Sequence, residues 1–410
     1  MTQTDSPVEA EALPDYPWIG HNRECPLDPP PLIGRLRADK PVAPVRMSQG
    51  MDAWLVTRYE DVKAVLADRR FSADRRRPNF PHVGPPRPVP PGNFVHIDPP
   101  DHTRLRRLVS RTFTVKTVES LRPRIQEFTE QLVERIADGP APADLKEGLA
   151  HPLPVKVISE LIGIPHADAS FFTEATKVFM PTDTPIERAR EKVMEVREYV
   201  DALAKRKKAD PADDLMSRLA LEREAHGECT HDELVGLSLV LMFGGYETTS
   251  NMIGLALLLL LVHPEQLARV REDPELVKPA VEEVMRYITV VHTGLPRLAT
   301  EDVEIGGQLI RAGEGVIASL ASANRDERAF ACPEQFDIDR FDGQREAHHL
   351  GFGYGIHQCI GQMLARVQLR AAVETLLRRL PELRLAVPFE QVPFRHDMFL
   401  YGVHSLPVTW

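Results

Sequence analysis

The stretch LGFGYGIHQCIGQMLAR, Leu350 to Arg366, places one cysteine, Cys359, between a glycine-rich loop and the start of a predicted helix. Free cysteines are usually small, inert residues of a protein core. A cysteine at the N-terminus of a helix, by contrast, lies beside backbone N–H groups and the positive end of the helix dipole, which favour the thiolate form. The pattern therefore predicts a thiolate at Cys359 that acts as a nucleophile or as a metal ligand.

Two other interpretations of this loop are weaker. The dinucleotide fingerprint G-x-G-x-x-G needs glycine at the sixth position counted from Gly353, where this chain has Gln358. A zinc site needs three further ligands, and although His348, His349 and His357 are close in sequence, no CxxC or HxxxH spacing is present. The glycines instead indicate a backbone that passes close to a flat or bulky group.

The composition is that of a globular protein and limits the class of function. The 410 residues are 43% hydrophobic and 27% charged, and the net charge of -10 argues against general nucleic-acid binding. The longest apolar run, Met252 to Val262, is too short to span a bilayer, and the N-terminal residues lack the apolar stretch of a signal peptide. The four scattered cysteines suggest no disulfide framework. We therefore expect a cytoplasmic bacterial protein without a membrane span.

The hydrophobic periodicity predicts a mainly α-helical chain with minor β-sheet, and no linker or repeat divides residues 1–410 into more than one domain. Thr230 begins the longest helix with a capping box, because Glu233 stands three residues after it. The apolar pattern of that helix continues to Val262. A last long helix is predicted from about Gly361 to Arg379.

Two further segments are expected to lie over this body. Residues 1–31 are predicted to form an N-terminal arm. The segment 75–94 has seven prolines between Pro78 and Pro91, a density that forbids regular helix or central strand. Long ordered loops in compact domains are often lids, so we predict a substrate lid there, with a disordered surface loop as the alternative.

The centre of the long helix, LMFGGYETTSN from Leu241 to Asn251, has a composition that needs a reason. Two adjacent glycines followed by polar residues lower the helix propensity in an otherwise apolar helix. One explanation is close packing of another helix against small residues. The other is a local widening that admits a ligand and places an acid and a hydroxyl beside it. The residues alone leave both explanations open.

Together, these segments resemble the cytochrome P-450 superfamily of haem-thiolate monooxygenases. FGYGIHQCIG, residues 352–361, matches the haem-binding loop of that family. GGYETT resembles the oxygen-binding part of its long central helix, with Gly244 where alanine is commoner. EEVMR carries the Glu-x-x-Arg pair as Glu283 and Arg286, and PEQFDIDRF resembles the segment whose Arg340 completes that charge cluster. The resemblance covers nearly the whole chain and implies the P-450 fold, in which the long central helix crosses the haem.

The resemblance also implies the residues that hold the cofactor, haem b. Cys359 takes the place of the axial iron ligand, and a thiolate there pushes electron density to iron and favours O–O cleavage. Haem carries two propionates, which need cationic partners where they are buried. The implied residues are His102, Arg106, Arg297 and His357 for the propionates, with Phe352, Gly353 and Gly245 close to the haem.

An oxygen-activating site and a substrate pocket follow from the same resemblance. Glu247 is expected to relay protons from solvent and Thr248 to hold oxygen and a water, because activation of O2 needs protons without free access of water. The closest likeness is to the actinobacterial group that oxidises steroids such as vitamin D, polyketides and xenobiotics, which implies a mid-sized apolar substrate. The implied substrate contacts are Phe94, Leu241, Val290, Val291, His292, Met398 and Phe399.

Electrons are expected from NAD(P)H through a separate ferredoxin and ferredoxin reductase. The segment HTRLRRLVSR carries Arg104, Arg106, Arg107 and Arg111 with no acidic residue, which predicts a positive patch that attracts an acidic ferredoxin. Two other haem-thiolate functions stand as alternatives: a reductase of nitric oxide and a non-catalytic haem sensor. The acid at Glu247 favours the monooxygenase.

Overall fold

The computed structural model describes residues 13–16, 23–48, 50–343, 347–396 and 398–410. Helices dominate this part of the chain, as the periodicity predicted. The α-helices are α1 (Pro31–Asp39), α2 (Tyr59–Ala67), α3 (Asp101–Ser110), α4 (Val115–Ala137), α5 (Pro152–Ile162), α6 (Ala169–Phe179), α7 (Ile186–Ala209), α8 (Leu215–Arg218), α9 (His231–Val262), α10 (Pro264–Glu272), α11 (Val277–Tyr287), α12 (Leu320–Ala323) and α13 (Gln362–Arg379).

The long helix α9 lies at the centre of the core. Its predicted start is confirmed: the Thr230 hydroxyl accepts a hydrogen bond from the Glu233 backbone N–H at 3.1 Å, and the Thr230 N–H donates to the Glu233 carboxylate at 2.9 Å. The helix packs against α5, α7, α11 and α13. It is long and apolar enough to cross a membrane by length and composition, but 72% of its most apolar window is buried inside the protein. We therefore identify α9 as a core helix.

The strands form small sheets at the edge of the helical body. The strands are β1 (Asp15–Tyr16), β2 (Val42–Met47), β3 (Asp52–Val56), β4 (Phe71–Ser72), β5 (Ala143–Asp144), β6 (Leu295–Ala299), β7 (Val303–Ile305), β8 (Gln308–Ile310), β9 (Gly315–Ala318), β10 (Arg384–Leu385) and β11 (Pro407–Thr409). The largest sheet has the order β1-β2-β3-β9-β6-β4, and β7 and β8 form an antiparallel hairpin. This sheet places Arg297, on β6, opposite Val316 on β9.

Two irregular segments lie over the body. Part of the predicted arm 1–31 falls outside the described residues, but within the described part the Pro26 carbonyl accepts a hydrogen bond from the Tyr401 hydroxyl at 2.6 Å. The proline-rich segment 75–94 has no helix or strand before a 3₁₀ turn that begins at Phe94. In its middle, at Gly84, it approaches the ring of Phe399, and near its end Gly92, with φ +82°, lies against the backbone of α9. The loop therefore connects the C-terminal segment with the central helix.

Candidate active site

The loop around Cys359 is fixed by backbone contacts that need glycine. Gly353 and Gly355 have φ of +70° and +72°, a region that side chains rarely adopt. A Cβ at Gly355 would lie 2.3 Å from the Leu66 carbonyl oxygen of α2. The Cys359 N–H donates to the Phe352 carbonyl at 2.9 Å, which closes the loop, and α13 begins three residues after the cysteine.

The thiol of Cys359 is accessible, yet it lies deep among protein atoms. Burial raises its pKa, although a hydrogen bond from the Gly361 N–H and the charges of Arg106 and Arg366 act in the opposite direction. The predicted influence of the helix terminus is present as the hydrogen bond from Gly361, but in the free thiol desolvation outweighs it. A metal ion reverses this balance, since a coordinating thiol is deprotonated.

Two histidines and two arginines lie beside the cysteine loop. His102 and His357 lie with their ring centroids 4.3 Å apart, and both ring nitrogens of His102 are buried without a hydrogen-bond partner. Arg106 donates to the Gln358 carbonyl at 2.7 Å and Arg297 to the carbonyl of its own neighbour at 2.8 Å. None of the four forms an ion pair with another described residue. Burial lowers the pKa of each one, which favours the neutral form of the two histidines, although the charge of Asp98 acts in the opposite direction on His102 and Arg297.

The two glycines of α9 differ in what they face. A Cβ at Gly244 would meet nothing within 4 Å, and Gly244 is exposed in the middle of a buried helix. A Cβ at Gly245 would lie 2.8 Å from the Cδ1 atom of Ile158 on α5. Gly244 thus opens a groove, whereas helix packing accounts for Gly245 without a cofactor. The helix is continuous from His231 to Val262, so the groove forms without a break in the helix.

The predicted acid and alcohol point in different directions. Thr248 is half-buried, and its hydroxyl donates to the Gly244 carbonyl at 2.6 Å, which leaves the hydroxyl oxygen free to accept a hydrogen bond. Glu247 is only 3% exposed and contacts Arg395 and Asn251 instead. The structure therefore does not join Glu247 and Thr248 by a hydrogen bond. Thr248 lies beside the groove, and Glu247 lies within a buried charge network.

This network combines residues from distant parts of the chain. Lys146 Nζ donates to the Ser250 hydroxyl at 3.1 Å and to Asn251 Oδ1 at 2.8 Å, and burial lowers the pKa of Lys146 to about 8. Arg395 Nη1 donates to the same Asn251 oxygen at 2.8 Å. The pKa of Glu247 is lowered overall: burial raises it, but Arg395 and Lys146 outweigh burial. The sequence analysis did not identify Lys146 or Arg395 as partners of Glu247. The signal that could have identified them is a basic residue in an otherwise apolar segment.

A cavity of about 210 Å³ reaches Glu247 from the side of α6. Its lining includes polar groups from several elements: Glu147, His151, Thr176, Lys177, Arg395 and His404. Such a cavity gives a buried carboxylate a polar connection towards solvent. Met398 also borders it, so this predicted substrate residue has a polar neighbourhood on one side.

The predicted charge cluster is present near the cysteine loop. Arg286 forms two hydrogen bonds of 2.7 Å with Glu283, and neither side chain is exposed. Arg340 Nε lies 3.1 Å from the same carboxylate. The neighbouring Glu282, which sequence reasoning missed, binds Arg366 of α13 at 2.7 Å and His349 at 3.1 Å. Burial raises the pKa of Glu282, but these hydrogen bonds outweigh it and bring the pKa to about 2.

Most of the predicted substrate contacts come together around the segments 290–292 and 398–401. The Tyr401 N–H donates to the Val290 carbonyl at 2.9 Å, and a ring nitrogen of His292 lies 3.3 Å from the Met398 carbonyl. Phe94 lies apart from these segments, with its ring 6.4 Å from that of His102. The remaining predicted contacts are Leu241, buried on α9, and Val291 and Phe399, both partly buried.

These observations fit a haem. The two arginines and two histidines at the site lack an ion-pair partner among the described residues, Cys359 provides a soft ligand beside them, and the open face of Gly244 leaves room against α9. His102, Arg106, Arg297 and His357 are the residues that would bind the two propionates.

The comparisons with known proteins give the family. The chain matches the cytochrome P-450 family model over residues 155–398. It is 46% identical to cytochrome P-450-SU2 of Streptomyces griseolus over 98% of this chain and 99% of that protein, and 38% identical to the vitamin D3 dihydroxylase of the same species over 100% of both. The crystal structure of CYP105P1 in complex with filipin I has a TM-score of 0.91 and 40% identity over 97% of this chain and 99% of that one. The chain belongs to the cytochrome P-450 family and is a monooxygenase that uses haem iron and O2.

Proposed function

We propose that this enzyme hydroxylates or epoxidises a mid-sized apolar molecule, such as a polyketide, a steroid-like compound or a xenobiotic, with Cys359 as the iron ligand. The observation that carries this proposal is the set of basic side chains without an ion-pair partner beside the cysteine loop, since a dicarboxylate cofactor would neutralise the two arginines and accept hydrogen bonds from the two histidines. Haem iron with a thiolate ligand supplies the binding of O2 and the cleavage of its O–O bond. One oxygen atom enters the substrate and the other leaves as water, with two electrons and two protons consumed.

The residues of this chain deliver the protons. Glu247 takes a proton from the polar cavity near α6 when its ion pair with Arg395 opens, and passes it towards the groove of α9. Thr248 accepts a hydrogen bond there, because its own proton is already donated to the Gly244 carbonyl. The apolar residues around Val290 and Phe399 and the lid 75–94 exclude bulk water.

The proposed electron source is a separate acidic ferredoxin with its reductase and NAD(P)H, in the cytoplasm. Of the four arginines that the sequence suggested, Arg104 is bound by Glu233 and Arg106 faces the cysteine loop. Arg107 and Arg111 are exposed and have no acidic partner among the described residues. The proposed docking surface therefore consists of Arg107 and Arg111.

A reductase of nitric oxide and a haem sensor are the competing functions. An acid held in a solvent-connected cavity beside the helix groove serves proton delivery, which a sensor does not need. The buried pair Glu247–Arg395 therefore favours the monooxygenase over the sensor. Addition of nitric oxide and NADH without any ferredoxin distinguishes the reductase, which would consume both.

The iron ligand is tested with the spectrum of the reduced, CO-bound protein. The parent protein is expected to absorb at the long wavelength typical of thiolate ligation. Cys359→His should retain haem but lose this band, whereas Cys332→Ala, which removes another exposed free cysteine, should keep it. A thiolate-type band in Cys359→His would refute the assignment.

A further inference from the structure

Arg75, at the start of the lid, has no anionic partner among the described residues. Its Nε atom is buried and makes no hydrogen bond. The carboxylates close to it, Asp74 and Asp98, already form ion pairs with other arginines. Asp74 pairs with Arg76 at 2.8 Å and Asp98 with Arg77 at 3.5 Å. Of three consecutive arginines, the two exposed ones therefore have an acid each and the partly buried one has none.

Apart from these two carboxylates, which are already paired, the ionisable groups around Arg75 are basic. Burial, together with the charge of Arg87, lowers the pKa of Arg75 to about 10. Burial also lowers the pKa of His96 to about 3, with the charges of Arg75 and Arg297 acting in the same direction, and it lowers the pKa of His82 beside Arg75. A guanidinium that is desolvated among cations raises the free energy of the folded protein unless an anion binds to it.

The position of Arg75 connects the cofactor side of the site with the substrate side. Arg297, on β6, lies near enough for the charge of Arg75 to lower its pKa. Arg87 lies over the ring of Phe399, with 5.2 Å from its guanidinium carbon to the ring centroid. Arg75 thus has one neighbour among the proposed propionate partners and another at the proposed substrate pocket.

We propose that Arg75 binds a carboxylate of the substrate, so that the substrates of this enzyme are apolar molecules that carry a carboxylic acid. The inference rests on the proposed function, because it assumes that His102, Arg106, Arg297 and His357 already satisfy the two propionates. A guanidinium binds a carboxylate through two parallel hydrogen bonds, which fix orientation as well as position. Arg75 therefore selects the substrate and determines which carbon faces the iron.

Matched pairs of ligands test this. Fatty acids of about ten to sixteen carbons and their methyl esters are titrated into the haem-loaded enzyme, and binding is measured from the shift of the haem Soret band. The parent enzyme should bind the acids about tenfold or more tightly than the esters, the scale expected for a hydrogen bond to a charged group. Arg75→Ala should lose this preference while its affinity for the esters stays the same. Arg76→Ala, which removes the adjacent exposed arginine, should behave like the parent.

Two outcomes would overturn the inference. In one, the parent enzyme shows no preference for acids over esters, including no shift with either. In the other, Arg75→Ala retains the preference; if this variant also releases haem faster to apomyoglobin, the carboxylate that Arg75 binds is a haem propionate. Absence of the thiolate-type CO band in the parent protein would instead refute the proposed function. Failure of the inference on Arg75 and failure of the proposed function are therefore distinguishable.

Discussion

Arg395 Nη1 donates a hydrogen bond to Glu247 Oε1 at 2.5 Å, and both side chains are buried. The acid that the sequence motif assigns to proton delivery is therefore held in its charged form by a residue 148 positions away. A carboxylate in this state carries protons only when the arginine releases it. The ion pair thus sets the pH range over which the relay works.

The first prediction concerns this ion pair. Arg395→Gln removes the largest influence that lowers the pKa of Glu247, so burial raises that pKa and the acid keeps its proton to higher pH. We expect the alkaline limb of the pH–rate profile of product formation to move to higher pH. Glu247→Gln should slow product formation by about 10²-fold or more. Arg378→Gln, which removes a partly exposed ion pair with Glu130, should leave the profile unchanged; an unchanged profile in Arg395→Gln would contradict the relay.

The two adjacent threonines give a matched pair for the second prediction. Both hydroxyls donate to backbone carbonyls of α9, at 2.6 Å for Thr248 and 2.9 Å for Thr249, but only Thr248 has its acceptor carbonyl, that of Gly244, at the open groove. Thr248→Ala should release hydrogen peroxide at the expense of product while NAD(P)H consumption continues. Thr249→Ala should stay coupled. Equal peroxide release from the two variants would exclude a specific role for Thr248.

The third prediction compares the effect on stability of removing a buried ion pair of α11 with that of removing an exposed ion pair at the start of the same helix. Arg286→Ala removes the bidentate partner of the buried Glu283 carboxylate and leaves only Arg340 beside it, at a cost of about 3–5 kcal/mol in the free energy of unfolding. We expect poor haem incorporation into this variant, measured as haem per polypeptide. Lys278→Ala removes an exposed pair with Glu275 and should change stability by less than about 1 kcal/mol. Full haem loading and parental stability of Arg286→Ala would show that the cluster is dispensable.

The fourth prediction concerns how the stability of the folded protein depends on the ionisation of Glu282. Its pKa is about 2 in the folded protein against 4.5 for an ordinary glutamate, so the stabilisation is complete above about pH 4.5 and is lost as the pH falls towards 2. The size is about 3 kcal/mol at about 1.4 kcal/mol per pKa unit. Glu282→Gln should lose this stabilisation at neutral pH. The difference in free energy of unfolding between parent and variant, measured by urea unfolding, should shrink as the pH is lowered. Glu304→Gln, on the exposed hairpin, should show no difference; a difference independent of pH for Glu282→Gln would refute the linkage.

The last prediction tests the docking surface. Arg107→Glu with Arg111→Glu should raise the apparent KM for an acidic ferredoxin without changing substrate affinity, and the parental rate should fall as salt screens the patch. Stopped-flow reduction of the enzyme measures both effects. Lys205→Glu with Lys208→Glu, two exposed lysines on α7, is the charge-matched control. Reduction that is indifferent to salt and to the double variant would place the docking surface elsewhere.

The features that the sequence alone determined are local. The capping box at Thr230 and the apolar pattern to Val262 predicted α9, because both depend on residues within a few positions of one another. The Glu283–Arg286 pair is three residues apart on one helix and was visible for the same reason. The cysteine loop was recognisable as well, since its glycines are required by its own backbone conformation.

Only the tertiary structure decided the partners that come from distant segments. It assigned Gly244 to the groove and Gly245 to packing against α5, a choice that the residues left open. It bound Glu247 to Arg395, and it left Arg75 without an acid although Asp74 is its neighbour in sequence. The physical reason is that hydrogen bonds and periodicity within a helix are encoded over a few residues, whereas the partner of a buried charge depends on which elements pack against it.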